Sequence, residues 1–337
     1  MSTTDAELEV PQSPAMLSAG PGTGDLALTS AREARVGDVT VRRLLPLRQR
    51  RSVGAWCFID HYGPMSVDGA AGMRVPPHPH IGLQTVTWLI SGNVLHRDSL
   101  GSEQMIRPGQ LNLMTSGRGI AHSEESPAEH DPELHGVQLW VALPDAQRHV
   151  RPAFEHHAEL PAFGVGGLGV TVFLGSLAGA RSPAKAYSEI VGAEVVARRG
   201  SADWDAADWA VTGRAAGGPD ASGRIAVTPS HEHVVFVSAG SADVEGTVLG
   251  TGQLLYLGTG REQLTMAAAA GSRLFLFGGV PLGEPLLMWW NFVARTPAEI
   301  TAAAGEWASG RFGTVNGYDG EPLAAPPLDA ARLTRPR

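Results

Sequence analysis

Four residues stand at spacings that could hold a metal ion. His78 and His80 lie in Pro76-Pro77-His78-Pro79-His80, and His122 and Glu124 close Gly117-Arg118-Gly119-Ile120-Ala121-His122-Ser123-Glu124. Side chains two apart on an extended strand point to the same side, so each pair presents two donor groups on one face. If the two strands face each other inside a barrel, three imidazoles and one carboxylate converge on one point. That donor set suits a divalent first-row metal, iron above all, and leaves positions open for a substrate or oxygen. Taken singly, each residue reads more plainly as a surface or hydrogen-bonded core group, and His-x-His alone is a weak signal. Together, at strand spacing on either side of a plausible barrel core, they point to a metal. Pro79 adds to this by biasing His78 toward the extended region.

The elements that must carry these residues read as short antiparallel strands. Val36 to Leu44 alternates apolar and polar residues, and Trp56 to His61 follows as an apolar strand, with Asp60-His61-Tyr62-Gly63-Pro64 expected as its closing turn. Leu83 to Ser91 is rich in β-branched and aromatic residues and stops at Gly92-Asn93. Val94 to Asp98, Met105-Ile106, Leu111 to Met114 and His135 to Leu143 continue the series, with Arg107-Pro108-Gly109 as a corner. Strands of this length, punctuated by Gly and Pro, predict an all-β protein built on small barrels or jelly rolls. Trp88, Leu113 and Met114 are candidates for an apolar pocket lining, or else plain core. His61 reads as a turn histidine near a pocket mouth, and Arg42-Arg43 with Arg48 to Arg51 as a solvated basic face.

A weak internal repeat predicts two barrels in tandem. Val86 to Gly92 resembles Val234 to Gly240, and Gly109 to Met114 resembles Gly252 to Leu257. In these two registers His78 and His80 fall opposite Ala226 and Thr228, while His122 and Glu124 fall opposite Thr265 and Ala267. The second barrel therefore lacks the metal set at equivalent positions. His231 and His233 form another His-x-His, out of register and without a downstream partner. The expected organisation is a mobile arm over residues 1–25, an N-terminal barrel over 30–165 carrying the metal site, and a C-terminal barrel over 166–295. Residues 296–337 complete it as a helix and tail. Thr296-Pro297 with Glu299 is a capping box with proline in the first turn, so the helix runs to about Ser309 and stops at Gly310.

At 337 residues the chain can bury ample core, and its 42 glycines and 24 prolines favour turns over a helical bundle. A net charge of −8 argues against direct nucleic-acid binding through a broad basic face. Cys57 is the single cysteine, so no internal disulfide can form, and its apolar surroundings predict a small buried hydrophobe. The acidic start lacks the pattern of a signal peptide, and no apolar run is long enough for a membrane span. A cytoplasmic protein is the expectation.

With these residues in view, the chain resembles the pirin family, two-domain members of the cupin superfamily. The resemblance rests on His-Pro-His-Ile-Gly-Leu-Gln-Thr-Val-Thr-Trp-Leu, the Gly-Arg-Gly-Ile-Ala-His-Ser-Glu corner and Gly283-Glu284-Pro285-Leu286. It covers roughly residues 35 to 315 and is stronger in the first half. It implies a tandem pair of cupin barrels, with His78, His80, His122 and Glu124 as ligands of one divalent ion, usually Fe(II). It further implies an iron-dependent dioxygenase resembling pirin-type quercetinases, acting on a flavonol with molecular oxygen, with Glu124 as the catalytic base. The alternative it implies is a non-enzymatic iron-binding regulator that responds to redox state and binds partner proteins. Many relatives have Glu where this chain has Gln84, a departure that touches hydrogen bonding beside the site.

Overall fold

The computed structural model describes residues 26–36, 39–67, 72–198 and 221–329. The expected arm over 1–25 lies outside the described residues. The rest is almost wholly antiparallel β-structure, as the alternation and punctuation predict, and it forms two cupin-type barrels. Each barrel is a large sheet backed by a four-stranded one. In the first, the small sheet runs Arg74–His80, Ile120–Glu125, Val94–Asp98, Glu103–Ile106 in spatial order. In the second, Ala221–Ala226, Gln263–Ala268, Ser241–Val244 and Thr247–Gly250 repeat that order. The internal repeat is therefore a repeat of topology, and Ala226 and Thr265 occupy strands equivalent to those of His78 and His122.

The two large sheets pack face to face. Trp56, Trp88, Leu113, Phe173, Phe236, Phe275 and Phe277 fill the space between them, all essentially buried. Trp88 and Leu113 therefore belong to the core between the barrels and do not line the metal-bearing interior. Period-two alternation decides this: the neighbours Thr87 and Leu89 take the other face. The Trp56 indole N–H, buried with its ring, donates to the carbonyl of Val191 at 2.9 Å. Glu232 accepts the Gly54 N–H at 2.6 Å and the Tyr256 hydroxyl at 2.8 Å, linking the halves through a carboxylate.

The chain also exchanges ends. Ala27–Ser30 pairs with Gln253–Gly258 of the second barrel. In return the hairpin Leu287–Trp289/Phe292–Ala294 and the helix Pro297–Ala308 pack on the first barrel's small sheet through Ala121, Phe292, Ile300 and Phe312. The helix has the expected cap, Thr296 Oγ1 accepting the Glu299 N–H at 3.3 Å. The residues after it are not a loose tail as far as Asp329: Leu323 N–H donates to the Pro77 carbonyl at 2.8 Å.

Three local expectations are corrected. Trp56–Ser66 is one continuous strand, with no turn at Asp60 to Pro64. Gly63, at φ 77°, makes a bulge there, and a Cβ at that position would lie 2.2 Å from the Leu134 carbonyl oxygen. Arg43 is not on a solvated face: it is buried, pairs with both oxygens of Asp60 at 2.8 and 2.7 Å and stacks over Phe58. His61 is buried as well, its Nε2 2.7 Å from His135 Nε2, so one ring donates and the other accepts. Cys57 is buried as expected, and burial pushes its thiol up to about 12.

The apolar seam and the histidine pair each give an expected outcome. Phe173→Ala opens a cavity among Trp56, Trp88 and Phe277 and should cost about 3–5 kcal/mol, read as a lower urea midpoint, while Val248→Ser on the surface should leave the midpoint in place. Burial foremost, with nearby positive charge, holds His61 down to about 3 and His135 to about 4. In the unfolded chain both rings take up protons near the ordinary value of about 6.5. The unfolded state thus binds more protons between those limits, and stability should fall as pH drops from about 6.5 toward 4. Replacing the pair by His61→Phe with His135→Leu should flatten that slope in urea titrations, and an unchanged slope would remove the pair as its cause.

Candidate metal centre

The four expected ligands sit on neighbouring strands of one sheet, not on strands facing each other across the barrel. Arg74–His80 and Ile120–Glu125 pair antiparallel with His122 opposite His78 and Ile120 opposite His80. A bulge between His122 and Glu124 shifts the register, so Glu124 comes opposite Val75. On its other side the same strand meets Val94–Asp98, with His122 opposite Asp98 and Glu124 opposite His96. The tight corner before His122 is fixed by contact: Gly119 has φ 148°, and a Cβ there would meet the Phe312 ring at 2.4 Å.

His78, His80 and His122 bring ligand nitrogens within 4.8 Å of one another. His80 Nε2 and His122 Nε2 are 3.1 Å apart. The far side of two rings is anchored by backbone: His78 Nδ1–H donates to the Pro76 carbonyl at 2.8 Å, and His80 Nδ1–H to the Asn291 carbonyl at 3.1 Å. A carbonyl only accepts, so the proton is on Nδ1 and the Nε2 lone pair of each ring faces inward. Burial keeps the rings neutral, holding His78 down to about 4; His80 and His122 lie well below the ordinary value, with neighbouring imidazoles adding to the effect. Inward lone pairs on buried neutral imidazoles repel each other unless a cation lies between them, so this donor set fits a divalent metal.

Glu124 belongs to a second, overlapping set made of His96, His122 and Glu124. Its Oε1 accepts from Thr87 Oγ1 of the large sheet at 2.8 Å. Burial raises its carboxyl above the usual range, against the pull of His96 and of the Thr87 hydrogen bond. The carboxylate in turn adds to burial in raising the Tyr62 phenol. Trp140 stands edge-on to the His80 ring with centroids 5.3 Å apart, an apolar wall beside the donors.

His96 is the residue that motif reading passes over. Its Nδ1 is 3.4 Å from His122 Nδ1 and its Nε2 3.3 Å from Asp98 Oδ2, and its ring stacks on Phe154 at 4.4 Å. The signal available was His96-x-Asp98, a third polar pair at strand spacing.

His231 and His233 behave otherwise. Glu232 between them points to the seam, so alternation turns both rings into the second barrel. They line a cavity of about 220 Å³ together with Ala226 and Thr228, the residues that the sequence repeat sets opposite His78 and His80. His231 lies 3.7 Å from Glu189. Among the described residues, both sets of three possible ligands lie in the first barrel, and neither includes these two histidines. No helix among them is long and apolar enough to cross a membrane.

Known proteins share this arrangement. The pirin family profile matches residues 38–141, and the profile of the pirin C-terminal cupin domain matches residues 218–313. A Pseudomonas aeruginosa protein provisionally named a quercetin 2,3-dioxygenase is 43% identical over 307 residues, covering 90% of each chain. A pirin-like protein of Caulobacter vibrioides is 35% identical, covering 84% of this chain and 92% of its own. The crystal structure of a quercetin 2,3-dioxygenase from Acinetobacter baumannii superposes with a TM-score of 0.81 at 39% identity, covering 90% of this chain and 96% of that one. Two matched profiles, high identity over nearly the whole length and a shared tandem-barrel fold lead to one assignment: the chain belongs to the pirin family.

Proposed function

We propose that the chain is a metal-dependent dioxygenase of the quercetinase type, opening the ring of a flavonol with molecular oxygen. The observation that carries this reading is the convergence of three neutral imidazoles, His78, His80 and His122, beside the buried carboxylate of Glu124. The names of the Pseudomonas and Acinetobacter relatives support the substrate class. In this reading His78, His80, His122 and Glu124 hold one divalent ion, Fe(II), in the barrel over residues 30–165. The second barrel, which begins at the strand Ala162–Val165 and does not include the hairpin from Leu287, is structural and covers the apolar face of the first.

When bound, the ion would supply a Lewis acid and a template for the deprotonated enol oxygen of the substrate. The protein does the rest. The Pro76 and Asn291 carbonyls hold the His78 and His80 rings in the tautomer that leaves Nε2 free. Thr87 holds Glu124 Oε1, which leaves Oε2 to accept the proton from the flavonol hydroxyl. Burial raises the proton affinity of that carboxylate, as a base requires. Trp140 keeps the His80 side of the pocket apolar.

The depth of the site favours a second reading. With His80 and His122 exposed by only 2% and 1%, the same centre could serve a non-enzymatic regulator, its iron sensing redox state and altering a surface that binds partner proteins.

Metal analysis of the purified protein should find about one divalent ion per chain, unchanged in a His231→Ala/His233→Ala variant; halved content would make the second pair a site. In aerobic incubation with quercetin, the iron-loaded protein should bleach the flavonol absorbance and release carbon monoxide. Glu124→Gln removes the base and should slow this by about 10²–10⁴-fold while keeping more metal than His122→Ala. A Glu124→Gln protein with full iron and the parent rate would defeat the mechanism. An iron-replete parent that consumes no oxygen with any flavonol tested would leave the regulatory reading in its place.

A further inference from the structure

We propose that Asp98 and His96 are positioning residues that fix the tautomer of His122. The inference rests on the metal reading above and deepens it. His78 and His80 each have a backbone carbonyl to hold Nδ1–H. Among the described residues no such carbonyl is paired with the His122 ring, which instead places its Nδ1 3.4 Å from His96 Nδ1. Two ring nitrogens form a hydrogen bond only if one carries the proton and the other does not.

Asp98 decides which. Its Oδ1 accepts the backbone N–H groups of Leu100 and Ser102 at 2.9 and 3.0 Å, which turns Oδ2 toward His96 Nε2 at 3.3 Å. A carboxylate in that position places the His96 proton on Nε2 and leaves Nδ1 as an acceptor. His122 Nδ1–H then donates to it, and the His122 Nε2 lone pair turns toward His80 Nε2, where the ion would sit. Stacking on Phe154 at 4.4 Å and 15° fixes the plane of the His96 ring, so the relay has one orientation. All three members are buried, with His96 at 2% and Asp98 at 1% exposure, which keeps water from substituting for either. The strand register requires the arrangement: Asp98 lies opposite His122 and His96 opposite Glu124 on adjacent strands.

The test uses Zn(II), which is diamagnetic, on the full chain. Asp98→Asn keeps the oxygen that Leu100 and Ser102 need and puts an amide N–H against His96 Nε2. That forces the His96 proton to Nδ1, against His122 Nδ1–H, so zinc affinity should fall about 10–100-fold, the usual cost of losing an outer partner. His96→Ala should fall by a similar factor. His96→Asn, whose side-chain oxygen can stand at the Nδ1 position, should recover most of the loss, as a lost structural or ligating ring would not. In the zinc-loaded parent, ¹⁵N shifts should show His96 protonated at Nε2 and free of metal at Nδ1. Thermal melts of the metal-free variants separate misfolding from weak binding; if His96→Ala does not fold, Asp98→Asn and His96→Asn decide. Parent-like affinity in Asp98→Asn, a His96 proton on Nδ1, or a zinc-induced shift of His96 matching those of His78 and His80 would each overturn the proposal and leave the metal reading intact. A parent that binds no zinc overturns both.

Discussion

The structure depends on burying one face of each large sheet against the other. A sheet with a continuous apolar face is unstable in water, and each barrel here exposes such a face on the side away from its small sheet. Trp56, Trp88 and the phenylalanines at 173, 236, 275 and 277 remove both faces from solvent at once. Burial of this kind is worth roughly 25 cal/mol for each Å² of apolar surface, and large aromatic side chains contribute the most area. Two polar groups inside the seam are matched, the Trp56 indole N–H and the Glu232 carboxylate. A rigid seam gives the metal-bearing sheet a fixed support, and Thr87 reaches from that support to Glu124.

The small sheet then sets the chemistry by register. Side chains on adjacent strands at positions directly opposite are close enough to interact. His78 beside His122, and His96 beside Glu124, follow from pairing alone. The bulge lies on the His78 strand, where Pro76 and Pro77 stand against Ser123, while Glu124 keeps register with His96 and groups with it outside the tight group of three imidazoles. In the second barrel the equivalent strands carry Ala226 and Thr265, and the same topology there encloses a cavity with no set of three donors among the described residues.

Much of this was legible in the residues. The strands carrying His78, His80, His122 and Glu124 announced themselves by alternation and by Gly and Pro at their ends, and the Thr296 cap by its own chemistry. Strand neighbours were not legible. Nothing local in Val94–Asp98 says that it lies beside Ile120–Glu125, so His96 looked like an isolated histidine. The inward turn of Arg43 was hidden for the same reason, since its partner Asp60 is on the next strand. Gly63-Pro64 reads locally as a turn, but pairing with Glu133–Ala142 carries the strand through it as a bulge. Tandem segments read in order also conceal an exchange of ends, because pairing between Ala27–Ser30 and Gln253–Gly258 depends on tertiary closure.

That exchange has a consequence for how the protein comes to life. The carbonyl that orients His80 belongs to Asn291, and the segment packed behind His122 includes Phe292 and Phe312. During synthesis the strands of the first barrel leave the ribosome long before these residues do, by a delay on the order of ten seconds. Through that interval His80 lacks the carbonyl that orients it, and the small sheet is uncovered. A nascent chain is thereby kept from completing the centre until the segment from Asn291 to Phe312 has been made, so maturation depends on more of the polypeptide than the barrel that holds the ligands.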